Sequence, residues 1–288
     1  MSRMGDVLAG FHAAWEFESD SVLIRFERGI RTPKLFQALG ERRVPLEALA
    51  AVTLTPGKRG TVVLHAVPRP GADPLMEAAA GQLKEGCDPY RLVLPAERET
   101  LAEYYADELR ALLAQDGSPA GRHLVEPPEA PRTFKAYDAK ASFDGREVSF
   151  RWSWTGASSA KWKAGDQSFP VTGLSGVEWR SPEVFEGHLR LLYREPAAQQ
   201  PAQADQDPAA VVFGLGYGPV HESLPFAASV LAAVRAAGPP AAVPASTAPR
   251  RDPADIADRI RHLGELHRAG LVTDEEYTTK KAQLLAEL

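Results

Sequence analysis

Two ten-residue stretches decide the fold, Phe17-Glu-Ser-Asp-Ser-Val-Leu-Ile-Arg-Phe26 and Phe143-Asp-Gly-Arg-Glu-Val-Ser-Phe-Arg-Trp152. In both, apolar residues alternate with polar ones around a short polar turn, which is the pattern of a β-hairpin. The apolar positions correspond at a constant shift of 126 residues, because Phe17, Val22 and Phe26 recur as Phe143, Val148 and Trp152. The two stretches therefore predict an internal repeat, and each copy is expected to contain a hairpin.

The correspondence continues beyond the hairpins. Val44-Pro45-Leu46 recurs as Phe169-Pro170-Val171 at a shift of 125 residues. Later matches have offsets that change only with loop length, as expected for two homologous domains. Further strands are predicted at 49–55, 61–67 and 90–94 in the first copy and at 174–179, 188–193 and 210–215 in the second.

Each copy is predicted to end in a helix, at 97–113 and at about 225–236, because apolar residues there recur at helical spacing. A single helix can cover one open end of a strongly bent antiparallel sheet. We therefore predict a mainly β fold with α, in which two tandem small antiparallel barrels of the pleckstrin-homology (PH) kind are each closed by a C-terminal helix. The expected organisation is repeat 1 at 1–116, a linker at 117–131, repeat 2 at 132–237, a flexible Pro/Ala linker at 238–251 and a two-helix hairpin at 252–288.

In the predicted hairpin at 252–288, residues typical of helix starts or helix ends occupy most of the helix termini. Asp252 and Pro253 suit the start of the first helix, Gly270 suits its end, and Thr273 with Glu276 forms a capping box for the second. The apolar positions of the two helices are Ile256, Ile260, Leu263, Leu266, Leu271, Tyr277, Leu284 and Leu285.

This hairpin is too small to fold alone. A segment below about 40 residues usually needs a disulfide, a metal or a partner, and the chain contains a single cysteine. We therefore expect the apolar positions to contact a protein, either a second copy of this chain in a homo-oligomer or another partner. The alternative is that the hairpin docks on its own body.

The run Gly270-Leu-Val-Thr-Asp-Glu-Glu-Tyr277 resembles the SHOCT family of short C-terminal bacterial domains. That resemblance implies assembly or regulation, and no catalysis. Phe143-Asp-Gly145, Gly176-Val-Glu-Trp179 and Gly187-His-Leu-Arg-Leu-Leu192 resemble a numbered bacterial family of unknown function, number 4429. Its members carry the domain in tandem, often before a SHOCT tail, and their fold is similar to PH domains. The first copy departs from the pattern at 28–43.

Composition narrows the functional classes. The net charge of -5 argues against a general nucleic-acid binder. A single cysteine suits a reducing compartment, and no stretch approaches about 18 consecutive apolar residues, so we expect a cytoplasmic protein.

The sequence contains no recognisable catalytic or cofactor-binding set. His262 and His267 lie five residues apart and would face different sides of a helix, so they cannot share a metal. The glycines at 214, 216 and 218 precede Pro219 and indicate a turn rather than a phosphate-binding loop. Cys87 is expected to be an inert thiol. We predict a non-enzymatic scaffold or adaptor without a cofactor.

Two groups of residues each allow a binding role or a purely structural role. The basic segment, Arg28, Arg31, Lys34, Arg42 and Arg43, could face anionic lipid headgroups, which would make the protein a peripheral membrane-surface binder; an ordinary solvated loop is the favoured interpretation. Four tryptophans of the second copy could form a stacking platform, whereas burial in the core is favoured. These tryptophans are Trp152, Trp154, Trp162 and Trp179.

Overall fold

The computed structural model describes residues 6–113, 118–194 and 201–238. The hairpin predicted at 252–288 and, apart from Gly238, the linker predicted at 238–251 lie outside the described residues, so both stay predictions. The fold below is that of the two repeats.

The first repeat contains two antiparallel sheets and three α-helices. The first sheet has the order β1-β2-β3-β4 and the second has the order β5-β6-β7. The strands are β1 (Asp6–Ala9), β2 (Ala13–Phe17), β3 (Ser21–Phe26), β4 (Glu41–Pro45), β5 (Leu49–Pro56), β6 (Thr61–Pro68) and β7 (Arg91–Pro95). The helices are α1 (Lys34–Leu39), α2 (Pro74–Ala79) and α3 (Glu99–Leu112), and single 3-10 turns occur at Leu46–Ala48, Glu85–Cys87 and Ala96–Arg98.

The second repeat has the same order of strands with one helix fewer. Its sheets have the orders β11-β10-β9-β8 and β12-β13-β14. The strands are β8 (Arg132–Lys135), β9 (Ala139–Phe143), β10 (Glu147–Trp152), β11 (Gln167–Pro170), β12 (Leu174–Arg180), β13 (His188–Tyr193) and β14 (Ala210–Val212). The helices are α4 (Ser159–Ala164) and α5 (Val220–Ala237), and a 3-10 turn occupies Val171–Gly173.

The predicted hairpins are present in the expected register. Phe17 lies opposite Val22 in the β2–β3 hairpin, and Phe143 lies opposite Val148 in the β9–β10 hairpin. Each hairpin is extended by an additional strand at either side, β1 and β4 in the first repeat and β8 and β11 in the second. Burial alternates along β9 and β10, which places one face on the core, whereas β3 is buried at every position except Arg25.

The predicted closed barrels are not observed among the described residues, because the strands of each repeat divide between two separate sheets. The two sheets of a repeat touch at one corner. In the first repeat the Phe11 N–H donates to the Val93 carbonyl at 2.7 Å, and in the second the Tyr137 N–H donates to the Val212 carbonyl at 3.0 Å. These hydrogen bonds join the two sheets of a repeat without closing them into one barrel.

The helices differ from the sequence predictions in number and in extent. Helix α5 begins at Val220, five residues before the predicted start, and contains Pro225 in its interior. The predicted start followed from the helical spacing of Phe226, Val230 and Val234, whereas the first turn of α5, Val-His-Glu-Ser, is mostly polar. Helices α1 and α2 lie in segments for which no helix was predicted. Asp73 caps the start of α2, and its carboxylate accepts a hydrogen bond from the Leu75 N–H.

Helix α5 joins the two repeats. The core of the second repeat includes four side chains of the first, contributed by α1 and α2: Leu35, Leu75, Ala78 and Ala79. Leu224, Phe226 and Val230 of α5 are fully buried, because this helix packs on its own sheet and on the first repeat. Helix α3 has a polar outer side instead, and its buried positions are confined to one stripe. The two repeats therefore share one continuous apolar junction.

Among the described residues, we find no helix that combines the length and the apolar composition needed to cross a bilayer.

Candidate functional site

A groove of about 770 Å³ lies where the two repeats meet. The first repeat contributes the start of α1 and the segment after α2, and the second contributes the β12–β13 loop, the loop after β14 and the start of α5. We call this the inter-repeat groove. Its lining includes Lys34, Leu83, Lys84, Cys87, Phe185, Leu215, Tyr217 and His221.

A glutamine fixes one wall of the groove. The Gln82 Nε2 donates to the Trp179 carbonyl at 2.9 Å, and the Gln82 Oε1 accepts from the Ser181 N–H at 2.9 Å. One side chain of the first repeat thus forms hydrogen bonds with a carbonyl and an N–H group at the end of β12 in the second repeat. Buried or half-buried backbone groups need such partners, so the wall is held in one position.

An ionic cluster holds the repeats together at the C-terminal end of α5. Arg235 donates to the Gly71 carbonyl at 3.1 Å and lies 3.0 Å from Glu77 on α2. His123 lies 3.0 Å from the same carboxylate. The hydrogen bond with His123, supported by the charge of Arg235, lowers the pKa of Glu77 against a smaller opposing effect of burial. Glu77 is therefore ionised at neutral pH and joins α2 to α5.

The rim of the groove is apolar and exposed. Phe185 is 83% exposed and Leu215 is fully exposed, and both lie at loop tips on the second repeat. The loop that carries Phe185 is closed tightly, since a Cβ on Gly187 would come within 2.6 Å of the Ser181 carbonyl oxygen. Exposed large apolar side chains on a rigid loop are typical of a protein-binding surface.

The lining of the groove contains two cations, Lys34 and Lys84, and two carboxylates, Glu183 and Glu186. Lys34 lies at the start of α1, and Lys84 pairs with Glu183 at 3.0 Å. Burial lowers the pKa of His221, with a smaller contribution from Lys34 and an opposing one from Glu222. His221 is therefore neutral at pH 7 and leaves the lysines as the cations of the groove.

The thiol in the groove is not activated. Burial is the main cause that raises the pKa of Cys87, and Glu183 adds to the shift while Lys84 opposes it. A thiolate is the reactive form of cysteine, so Cys87 stays protonated near neutral pH, in agreement with the predicted inert thiol. Within residues 6–113, 118–194 and 201–238, no three His, Cys, Asp or Glu side chains are arranged to hold a metal ion.

The predicted basic segment is not brought together as one surface. Arg42 is buried, and its guanidinium donates to both carboxylate oxygens of Asp73, at 3.0 and 2.8 Å. Arg43 pairs with Glu18. Lys34 lines the inter-repeat groove, whereas Arg28 and Arg31 are exposed on the loop before α1.

Arg42 has a structural role that is visible in its surroundings. The Asp73 carboxylate also accepts from the Tyr90 hydroxyl at 2.8 Å. The charge of Asp73 and its hydrogen bond raise the pKa of Arg42, although burial, the largest single effect, acts in the opposite direction. The carboxylate caps α2, so this network fixes the helix that supports the groove.

The favoured burial of the four tryptophans is correct for two and wrong for two. Trp152 and Trp179 are buried, whereas Trp154 is 85% exposed and Trp162 is 43% exposed. The rings of Trp154 and Trp162 meet edge to face with centroids 5.5 Å apart. Strand β10 ends at Trp152, so the alternation that buries Trp152 does not reach Trp154.

The glycine-rich segment is a turn, as predicted. It follows β14, and Gly216 and Gly218 have φ values of 80° and 63°, which favour glycine. The turn places Leu215 and Tyr217 at the groove. Gln82 and Phe185 were not predicted as site residues, because both lie in segments without periodicity. The eight predicted protein-interaction positions from Ile256 to Leu285 lie outside the described residues.

A comparison with family models gives two matches. The model described as "Domain of unknown function (DUF4429)" matches residues 15–110 and 141–231, which are the cores of the two repeats. The model described as "Short C-terminal domain", SHOCT, matches residues 258–285. No curated protein matches the chain. Because the first model covers well over half of the sequence, the chain belongs to the DUF4429 family, with two copies of that domain followed by a C-terminal SHOCT domain.

Proposed function

We propose that the protein is a non-enzymatic scaffold or adaptor, in which two PH-like repeats form one rigid body and the SHOCT segment mediates assembly. The observation that carries the proposal is the inter-repeat groove with its exposed apolar rim at Phe185 and Leu215. A rigid groove with exposed apolar side chains suits the binding of another polypeptide.

The PH-like assignment is supported by the arrangement of each repeat. A four-stranded sheet is followed by a three-stranded sheet and then by one C-terminal helix that packs on the strands. A small, partly open antiparallel fold of this kind serves binding rather than one particular chemistry. We also propose a cytoplasmic location, which the single cysteine supports.

The shared junction supports a scaffold because it fixes two repeats relative to each other. Leu75, Ala78 and Ala79 of α2 pack into the core of the second repeat, and Gln82 continues the contact along the chain. A partner bound in the groove would contact both repeats at once. Loss of either repeat would then remove the site.

The groove is tested by affinity purification of the full chain from its source cells. The double variant Phe185→Ser with Leu215→Ser is expected to lose the proteins that co-purify with the wild type. Ile30→Ser is the matched control, since Ile30 is also fully exposed but does not line the groove. An identical set of co-purifying proteins in all three samples would reject the groove as the partner site.

The assembly role of the tail is tested separately by light scattering. We expect removal of 252–288, or the change of Leu263 and Leu266 to Asp, to lower the oligomeric mass. The change of Arg261 and Arg268 to Asp is the control, because these charged residues lie outside the apolar stripe predicted for the same helix. An unchanged mass after removal of the segment would contradict self-association.

A further inference from the structure

Three positive side chains lie in one row on the solvent face of the second repeat. Lys135 on β8 is directly opposite Lys140 on β9, and Lys140 is directly opposite Arg151 on β10. All three are exposed, while their neighbours Phe134, Ala139 and Trp152 are buried. Directly opposite side chains in an antiparallel sheet are about 5 Å apart, so the row presents three cations over about 10 Å. We call it the cation row.

The cation row is only weakly neutralised. Arg151 lies 3.7 Å from Asp166, and both groups are solvent-exposed. Among the described residues, Lys135 and Lys140 have no carboxylate within 4.0 Å. Like charges that face each other across a sheet are destabilising. Repulsion within the row therefore destabilises the sheet locally, and we take this as an indication that the three cations bind a ligand.

The first repeat shows that the fold does not require this arrangement. Ala9, Ala14 and Arg25 occupy the corresponding positions in the same register. Arg25 is neutralised there by Glu16 and lies 3.7 Å from Glu41. The cation row is thus specific to the second repeat.

Hydroxyl groups and a shallow groove accompany the cations. Thr133, Ser142 and Ser149 form a parallel row two residues along the same face. A groove of about 600 Å³ lies over the cation row, and Glu222 is the one acidic side chain in its lining among the described residues. Cations with nearby hydroxyl donors are suited to phosphate oxygens.

Exposed aromatic side chains surround the same end of the sheet. Tyr137, in the β8–β9 turn, is half-exposed. Trp154 lies two residues beyond the end of β10, the strand that carries Arg151. The Lys135 ammonium lies 5.3 Å from the ring centroid of Tyr217, which in turn meets Tyr137 edge to face. Tryptophan and tyrosine prefer the level of lipid headgroups at a membrane–water interface.

We propose that this end of the second repeat binds the surface of an anionic membrane. The cation row contacts lipid phosphates, and Trp154 with Trp162 enters the headgroup layer beside it. The aromatic rings lie in turns and on helix α4 rather than on the face of the sheet, so they do not form the platform on which nucleic-acid bases stack. The net charge of -5 also disfavours a long polyanion that would cover more of the protein.

The test is flotation of the full chain with phosphatidylcholine vesicles, with and without phosphatidylglycerol. We expect binding only to the anionic vesicles, and weaker binding as salt is raised. The triple variant Lys135→Glu, Lys140→Glu and Arg151→Glu should bind at least about 100-fold more weakly, given about a fivefold contribution from each basic residue near such a surface. Trp154→Ala should also weaken vesicle binding.

A charge-matched control separates this site from general electrostatics. The triple variant Arg28→Glu, Arg31→Glu and Lys58→Glu changes the net charge equally, at exposed positions of the first repeat. We expect it to bind anionic vesicles nearly as well as the wild type. Equal loss in both triple variants would overturn the assignment to the cation row.

Two further outcomes would also overturn the proposal. One is equal binding of the wild type to neutral and anionic vesicles. The other is tighter binding, at the same salt concentration, to a single-stranded oligonucleotide than to anionic vesicles, which would make nucleic acid the partner. Thermal melting of every variant verifies that the repeats remain folded. The tail deletion leaves the cation row intact, so failure of the assembly proposal would not affect this experiment.

Discussion

Gln82 of the first repeat binds the backbone at Trp179 of the second, with its Nε2 atom 2.9 Å from the Trp179 carbonyl oxygen. The Trp179 indole is itself held by the Ser223 hydroxyl at 3.0 Å, inside the junction with α5. The segment after α2, the end of β12 and the start of α5 are therefore joined through adjacent contacts. These contacts shape the inter-repeat groove.

The first prediction concerns Gln82. We expect Gln82→Ala to lower the free energy of unfolding by about 1–2 kcal/mol, because one hydrogen bond is lost on each side of the amide. Gln37→Ala is the matched control, since Gln37 also contacts two carbonyls, those of Gly29 and Thr32, but within one repeat. Urea unfolding measures the change. Hydrogen exchange of the Ser181 amide should accelerate in Gln82→Ala alone, and unchanged protection would refute the role assigned to Gln82.

The second prediction concerns a buried ion pair in the second repeat. The Lys161 ammonium lies 2.5 Å from Asp138, and both side chains are almost completely buried. Burial raises the pKa of Asp138 and lowers the pKa of Lys161, and the attraction between them opposes both shifts. Lys161→Met leaves a buried carboxylate without its partner and should cost about 3–5 kcal/mol.

The rescue variant is Lys161→Met combined with Asp138→Asn. Asparagine can keep the hydrogen bond from the Val212 N–H, which Asp138 accepts at 2.9 Å, without a buried charge. We expect the double variant to recover most of the lost stability in denaturant unfolding. Lys163→Met is the control, because Lys163 is exposed on the same helix. A double variant as unstable as Lys161→Met would show that packing rather than charge causes the loss.

The third prediction is a pH dependence from Glu77. The pKa of this carboxyl is lowered from its ordinary value of 4.5 by the hydrogen bond with His123 and by the charge of Arg235. Its stabilising effect is therefore fully present above pH 4.5 and is lost as pH falls through the lower folded pKa. We expect Glu77→Gln to be less stable than the wild type at neutral pH, and the two unfolding free energies to converge in acid. Parallel curves would contradict this assignment.

The sequence was sufficient to predict the strands because apolar residues alternate along them. Phe17 and Phe143 occupy matching inward positions, and the register of both hairpins follows from that pattern. Strand β14 ends at Val212, earlier than predicted, since the glycine turn begins at Gly214. Strands β1, β4, β8 and β11 were not predicted, because four or five residues are too short for a clear alternation.

The groove could not be predicted because it depends on contacts between the repeats. Leu75 and Ala78 belong to the six-residue helix α2, which is too short for a clear apolar pattern, and they are buried in the core of the second repeat. Gln82 resembles any polar loop residue until Trp179 is placed beside it. Arg42 read as a surface cation because its partner, Asp73, lies 31 residues away along the chain.

The last prediction separates stability from binding at the cation row. Lys140 faces Lys135 on one side and Arg151 on the other, so Lys140→Glu replaces two repulsions with two attractions. Each cross-strand charge pair contributes roughly 0.2–1 kcal/mol. We therefore expect the melting temperature to rise by about 2–4 °C at low salt, while binding to anionic vesicles falls. Lys140→Arg preserves the charge and should change neither quantity. Salt should reduce the gain in melting temperature, because the charges are exposed and screened. If Lys140→Glu melted no higher than the wild type at low salt, the like charges of the row would not destabilise the fold, and this argument for a ligand would fail.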